Sequence, residues 1–304
     1  MSTSNYVVLS KILPRSAELP FSLTPTASLQ PLSVKIEEAE LTLNELADVR
    51  KDPRKLAALI MPLKLITPVE STILTEGEIT ALSSPTWGIK ATEASQSPYD
   101  GSGITVAVLD TGIEPNHPAF NGVSIEQKNF TSEDDNDKNG HGTHCAGTIF
   151  GQDINGLRLG IARNIKKALI GKVIGEGGST AKLIDAINWA VENDAQVISM
   201  SLGIDFPGAV DELVNEYNIK IEPATSIALE AYRETVNLFS EVANLARLRK
   251  TLLVAASGNE SRRPEYEIAA APPSAGTGVI SVGALGQTSD GEQLYVARFS
   301  NTMV

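Results

Sequence analysis

The sequence predicts an α/β fold: a doubly wound, mostly parallel sheet with helices on both faces, joined to a small N-terminal α+β segment. Two observations carry the prediction. Residues 104–109, 168–174, 197–202, 252–256 and 279–282 are short aliphatic runs without polar alternation, the pattern of strands buried on both faces of a parallel sheet. Between them lie stretches of helical period, which supply the right-handed crossovers that parallel neighbours require.

The elements follow in chain order. Residues 6–13 and 32–36 read as strands, separated by a Pro, Thr and Ser-rich loop over 20–31. Thr42 and Glu45 have capping-box spacing, so a helix starts there; it stops near Asp52 and Pro53, because the residue before proline disfavours the helical region. Residues 55–61 read as a second short helix, and 71–97 as a linker entering the next domain. In 180–193, Leu183, Ile184, Ile187, Ala190 and Val191 form one apolar helical stripe. A long amphipathic helix is expected over 226–249. The domain boundary is placed at 80/81.

Composition narrows the function. Of 304 residues, 42% are apolar and 20% charged, as in an ordinary globular protein with a substantial core. A net charge of -12 repels phosphate backbones, which argues against a nucleic-acid partner. The opening residues hold only a four-residue apolar run after a start without Lys or Arg, and no stretch is long enough to span a bilayer. A single cysteine, Cys145, rules out an internal disulfide. A cytoplasmic location without membrane partners is therefore the expectation.

Parallel sheets deliver ligand-binding residues at the carboxyl ends of their strands. Asp110 stands there, after four apolar residues and before Thr111 and Gly112. An Asp at that place is as often a turn former as a functional group. His141 lies between Gly140 and Gly142, which leaves one imidazole free of flanking bulk at the start of a helix of small residues. Imidazole titrates near neutrality and exchanges protons with a weak nucleophile and a leaving group; a carboxylate fixes its tautomer.

In order and spacing, Asp110-Thr111-Gly112-Ile113, His117-Pro118, Gly140-His141-Gly142-Thr143-His144-Cys145-Ala146-Gly147-Thr148, Ser199-Met200-Ser201-Leu202-Gly203 and Ala255-Ala256-Ser257-Gly258-Asn259 resemble the subtilase family of serine proteases. Lys172-Val173, Trp189-Ala190, Pro273-Ser274 and Phe299-Ser300-Asn301 extend the similarity over roughly residues 87–304.

The resemblance implies a subtilisin-like peptidase domain over 81–304. Asp110 orients the base, His141 is the general acid and base, and Asn259 donates to the oxyanion. Gly175, Gly177, Gly178, Ser201, Leu202 and Gly203 line the cleft for an extended polypeptide substrate, where backbone pairing gives affinity. Calcium commonly stabilises the family, and the oxygen-rich run Glu133 to Asp137 suits it, although a solvated loop is the blander reading and no ligands are assigned. No cofactor is required for the chemistry.

The resemblance also exposes a gap. The nucleophile belongs in a Gly-Thr-Ser-x-Ala block beyond Phe299, and no serine up to Val304 has that context. The expectation is a fragment of a longer protease, a C-terminal piece supplying the serine in trans, or a decayed remnant; a peptide-binding pseudoprotease is the rival function. A metal hydrolase of the His-Glu-x-x-His type is disfavoured, because Gly142 stands where its glutamate base belongs, so no metal ligands are expected. Cys145 reads as a packed thiol that still confers sensitivity to mercurials. Residues 204–251 are longer than usual for the family and are expected to add helix, while 1–80 occupies the place of a propeptide.

Overall fold

The computed structural model describes residues 4–12, 33–60, 64–65, 86–288 and 293–302. The chain begins with a three-stranded antiparallel sheet, β1 (Ser4–Ile12), β2 (Ser33–Leu41) and β3 (Lys55–Leu59), in the order β2-β1-β3. Helix α1 (Leu43–Lys51) connects β2 to β3. Its capping box is complete: Thr42 Oγ1 accepts from Glu45 N at 3.3 Å, and Glu45 Oε2 accepts from Thr42 N at 2.9 Å.

Residues 55–59, expected to be helical, form β3 instead. Pairing with β1, from Tyr6 opposite Leu59 to Ser10 opposite Lys55, overrides the helix propensity of Leu56, Ala57, Ala58 and Leu59. The 20–31 loop and the 80/81 boundary lie outside the described residues.

After β4 (Lys64–Leu65) and the short helix α2 (Trp87–Ala91), the main domain alternates β5 (Thr105–Asp110), β6 (Ile125–Asn129), α3 (His141–Phe150), β7 (Lys167–Lys172), α4 (Thr180–Glu192) and β8 (Val197–Met200). It continues through β9 (Leu202–Gly203), α5 (Phe206–Asn215), α6 (Ile221–Leu248), β10 (Leu252–Ala256) and β11 (Val279–Val282), and a hairpin of β12 (Leu285–Gln287) and β13 (Leu294–Val296). The central sheet is parallel throughout, with six strands in the order β11-β10-β8-β5-β7-β6. The inserted stretch is helical, as expected, and folds into α5 and α6.

Each sheet face buries its own core. Val108, Ala168 and Ile170 pack with Ala146 and Phe150 of α3. Ala107, Leu109, Leu169, Ile198 and Leu253 point to the opposite face and pack with Leu183, Ile184 and Ile187 of α4 and with Leu238, Phe239 and Val242 of α6. Val7, Leu9 and Ala58 belong to that second core, so the N-terminal sheet is part of one continuous apolar interior. Its other face, through Val8 and Ala57, meets Leu46 of α1.

The α3 side is covered over β5 and β7 only. Leu252 is 50% exposed, Ile280 47% and Val282 49%, an uncovered strip across β10 and β11 among the described residues. Because all six strands run the same way, the carboxyl ends of β7, β5, β8 and β10 line one edge side by side, and the candidate residues lie there.

Candidate active site

Asp110 ends β5 and is wholly buried. Its Oδ1 accepts from Thr111 N at 2.8 Å and from His141 Nδ1 at 2.6 Å. Oδ2 is buried with no hydrogen-bond partner among the described residues, so the carboxylate makes its strongest contact with the imidazole. That fixes the ring: Nδ1 carries the proton it gives to Asp110, which turns Nε2 away from the carboxylate.

His141 opens α3, and the helix start is built to hold it. Gly140 adopts φ +84°, a left-handed turn that suits glycine. The carboxylate of Asp137 accepts from Gly140 N at 2.8 Å, Thr143 N at 2.8 Å and Thr143 Oγ1 at 2.6 Å. A carboxylate at a helix amino end satisfies orphan donors and complements the dipole. From the other side, Thr111 Oγ1 accepts from Gly142 N at 2.9 Å. Asp110 and His141 are thus joined twice, once directly and once through their neighbours.

The environment sets the charge. The hydrogen bond that His141 donates to Asp110, assisted by Cys145 and opposed by burial, pushes the His141 pKa up to about 10. Cys145 Sγ lies 3.7 Å from His141 Nδ1, one helical turn on. Asp110, His141 and Cys145 bring three ligating atoms within 4.8 Å of one another. The Nδ1 position is already committed to Asp110, so a cation entering there would displace the hydrogen bond that orients the base.

Asn259 follows β10 and lines a cleft of about 270 Å³ with Ser199, Ser201 and Gly258. Its loop is fixed by Asn301, which is 1% exposed. Asn301 Oδ1 accepts from Glu260 N and Ser261 N at 3.0 Å each, and Asn301 Nδ2 donates to Glu260 Oε2. Gly258 sits at φ +120°, where an added Cβ would lie 2.2 Å from Asn301 Nδ2.

Gly175, Gly177 and Gly178 form the loop after β7. Gly175 and Gly177 have φ of +152° and +78°. The base of the loop is tied to Asp110, whose carbonyl accepts from Val173 N at 2.8 Å. Ser201 precedes β9, and Leu202 is fully buried in the core, which leaves its backbone as the part able to face a ligand. That backbone is already engaged: β4 runs antiparallel to β9, with Lys64 opposite Gly203 and Leu65 opposite Leu202.

Asp137, Thr111, Thr143 and Asn301 carry the geometry although the sequence reading gave them no role. Asp137 lay in the acidic run, but it precedes the N-cap Gly140 by three residues and reaches Thr143 six residues on, a spacing outside the ordinary capping pattern, so the fold alone reveals it.

Comparison with known proteins bears on the family. The family model described as "Subtilase family" matches residues 101–304. The major intracellular serine protease of Bacillus subtilis (strain 168) is 36% identical over 205 residues, covering 65% of this chain and 56% of that protein. Subtilisin-like protease 1 of Arthroderma gypseum is 34% identical over 174 residues, covering 51% of this chain and 33% of that one. The chain thus spans from a third to just over half the length of these relatives. In fold, it is similar to the epidermin leader peptide processing serine protease EpiP of Staphylococcus aureus, with a TM-score of 0.56 at 20% identity, covering 99% of this chain and 72% of that one. A match over two thirds of the sequence, with a buried carboxylate on the first main-sheet strand bonded to the histidine that opens the next helix, places this chain in the subtilase family.

Proposed function

We propose that this chain is the larger part of a subtilisin-like serine endopeptidase that hydrolyses polypeptides through an Asp/His/Ser triad, with the serine on a C-terminal continuation or on a separate C-terminal fragment. The observation that carries the reading is the 2.6 Å contact between buried Asp110 and His141 Nδ1.

In this mechanism the incoming serine Oγ gives its proton to His141 Nε2 and attacks the scissile carbonyl carbon. Asp110 stabilises the imidazolium that forms, and the Asn259 carboxamide donates to the oxyanion. Collapse of the tetrahedral intermediate expels the amine, which takes the proton from His141. Water, deprotonated in turn by His141, attacks the acyl ester; the ester C–O bond then breaks, the serine Oγ takes the proton back from His141, and the carboxyl product leaves. Removal of an oxyanion donor of this kind costs about 100-fold to 1000-fold in turnover; the source of that magnitude is subtilisin itself.

Substrate would enter as an extended strand between the backbone of Leu202–Gly203 and the loop of Gly175, Gly177 and Gly178. Residues 1–80 act as a propeptide on this reading. Two observations support it: Val7 and Leu9 share the core of the main domain, and β4 pairs with the edge offered to substrate. The apolar strip formed by Leu252, Ile280 and Val282 suits a covering helix from the serine-bearing segment. A cytoplasmic protein without nucleic-acid partners fits the net charge of -12; among the described residues no helix is long and apolar enough to cross a membrane.

The nucleotide sequence beyond codon 304 tests the proposal directly. An in-frame Gly-Thr-Ser-x-Ala block is expected, and the complete chain should cleave casein while its His141→Ala variant does not. Retention of full activity in that variant would overturn the mechanism.

A further inference from the structure

The acidic run 133–137 has the composition of a calcium loop, but its oxygens face a different cation. Lys172 is the last residue of β7 and is 3% exposed, an unusual place for an ammonium. Its Nζ donates to the carbonyls of Asp134 and Asn136 at 2.8 Å each and meets Glu133 Oε2 at 3.1 Å. Two main-chain carbonyls and a carboxylate converging on one positive centre is the donor set of an oxygen-ligated metal ion. Here an ammonium with three N–H donors fills it.

The loop so gathered touches both halves of the site. At one end, Asp137 holds the amides of Gly140 and Thr143, and so the start of the helix that bears His141. At the other, Glu133 Oε1 accepts from Glu176 N at 2.8 Å, and Ser132 Oγ donates to Glu176 O at 2.9 Å, which braces the glycine loop. Gly175 approaches so closely that an added Cβ would lie 2.8 Å from the Glu133 carboxylate. Gly112 approaches the loop from below, where an added Cβ would lie 3.2 Å from Asp135 O and 3.6 Å from the Lys172 side chain. The other lysine that meets the loop, Lys138, pairs with Asp134 at 2.5 Å but is 66% exposed.

We propose that Lys172 is the built-in cation of this loop, its ammonium standing in for a divalent metal ion and locking the His141 helix and the Gly175, Gly177, Gly178 loop into one register. Lys172 is a positioning residue in this scheme, two contacts removed from the imidazole. It follows that the wild-type loop needs no calcium. Without the ammonium, the carbonyls of Asp134 and Asn136 and the Glu133 carboxylate present a vacant oxygen cage to any divalent ion that prefers oxygen.

The experiment uses the 304-residue chain and its Lys172→Met variant, followed by thermal unfolding in EDTA and in millimolar CaCl2, together with amide NMR. The wild type should unfold at the same temperature in both. The variant should lose roughly 5–10 °C in EDTA, the scale for breaking a buried charge pair in a domain of this size, and recover part of it saturably with calcium. Amide resonances of Gly140, Thr143 and Glu176 should move together in the variant and return together with calcium. A variant that melts like the wild type, one that calcium leaves unmoved, or shifts confined to 134–136 would each overturn the assignment. So would a wild type stabilised by calcium as much as the variant.

Should Lys172→Met fail to fold, Glu133→Gln removes one charge while keeping the shape. Gly140 and Glu176 amides unmoved in that variant would equally overturn it. The proposal leans on the protease reading only for the roles of His141 and the glycine loop. No peptide is cleaved in the test, so its failure leaves the protease reading standing, and failure of that reading leaves these contacts intact.

Discussion

The α-carbon of Gly142 lies so near the carbonyl of Gly112 that an added Cβ would sit 2.2 Å from the oxygen, with Asp110 Cβ only 3.2 Å away. The glycine after the base thus lets α3 press against the turn that carries the acid. Gly142→Ala should drive the two apart. Displacement of about 1 Å costs on the order of 100-fold in rate, and overpacking costs about 1–3 kcal/mol in stability. Activity of the complete chain and urea denaturation of this one measure the two effects. A variant with an unaltered Asp110–His141 NMR signature would contradict the packing argument.

The hydrogen bond that His141 donates to the Asp110 carboxylate raises the His141 pKa from 6.5 to about 10 on folding. A raised pKa means that the protonated imidazole favours the folded state. Its stabilising contribution is complete below about pH 6.5 and disappears as pH climbs through about 10. Denaturant midpoints for the wild type should therefore fall across that window relative to Asp110→Asn, which lacks the charge. The same shift predicts that peptide hydrolysis by the complete chain increases into the alkaline range, since the base must be neutral to accept a proton. A flat difference between wild type and variant from pH 6 to 10 would show that the pair is not coupled as described.

Asn301 ties the Asn259 loop to the end of the described chain through bonds to the amides of Glu260 and Ser261. Its side chain is buried, so Asn301→Ala strands two amide donors and the Ser261 hydroxyl and should cost about 2–4 kcal/mol in denaturant unfolding. Asn301→Asp should be no better, because it sets a carboxylate where Nδ2 now meets Glu260 Oε2. Wild-type stability in both variants would remove Asn301 from the architecture of the Asn259 loop.

Cys145 and His141 sit within reach of one thiophilic ion, with Sγ 3.7 Å from Nδ1. Zinc or an organomercurial should bind the 304-residue chain, shift the His141 imidazole resonances and abolish activity in the complete protein. Cys145→Ala should weaken that binding by more than about tenfold, given the preference of soft ions for thiolate. Equal binding by the variant would place the ion elsewhere.

The sequence made some of this readable for definite reasons. The parallel strands were visible because each is a continuous apolar run; β6, with Glu126, Gln127 and Lys128 on an outer edge paired only to β7, has no such run and was missed. The stretch 55–59 looked helical because leucine and alanine favour helices, and only partner strand β1 decides otherwise. Asp110 was legible because it ends a continuous apolar run just before the Thr111-Gly112 turn, and His141 because Gly140 and Gly142 flank it at the start of a helix. Lys172 and Asn301 were not, since what makes them matter lies 36 to 41 residues away in the chain and is set by the fold alone.

The pairing of Lys64 and Leu65 with β9 closes that side of the strand to any other peptide. The occupant is tethered to the surface it covers, so it competes at an effective concentration on the order of millimolar whatever the amount of protein in solution. Dilution cannot dislodge it, and a micromolar rival stays outside. Release has to come from melting the small sheet that anchors it, which is reversible, or from severing the tether, which is not.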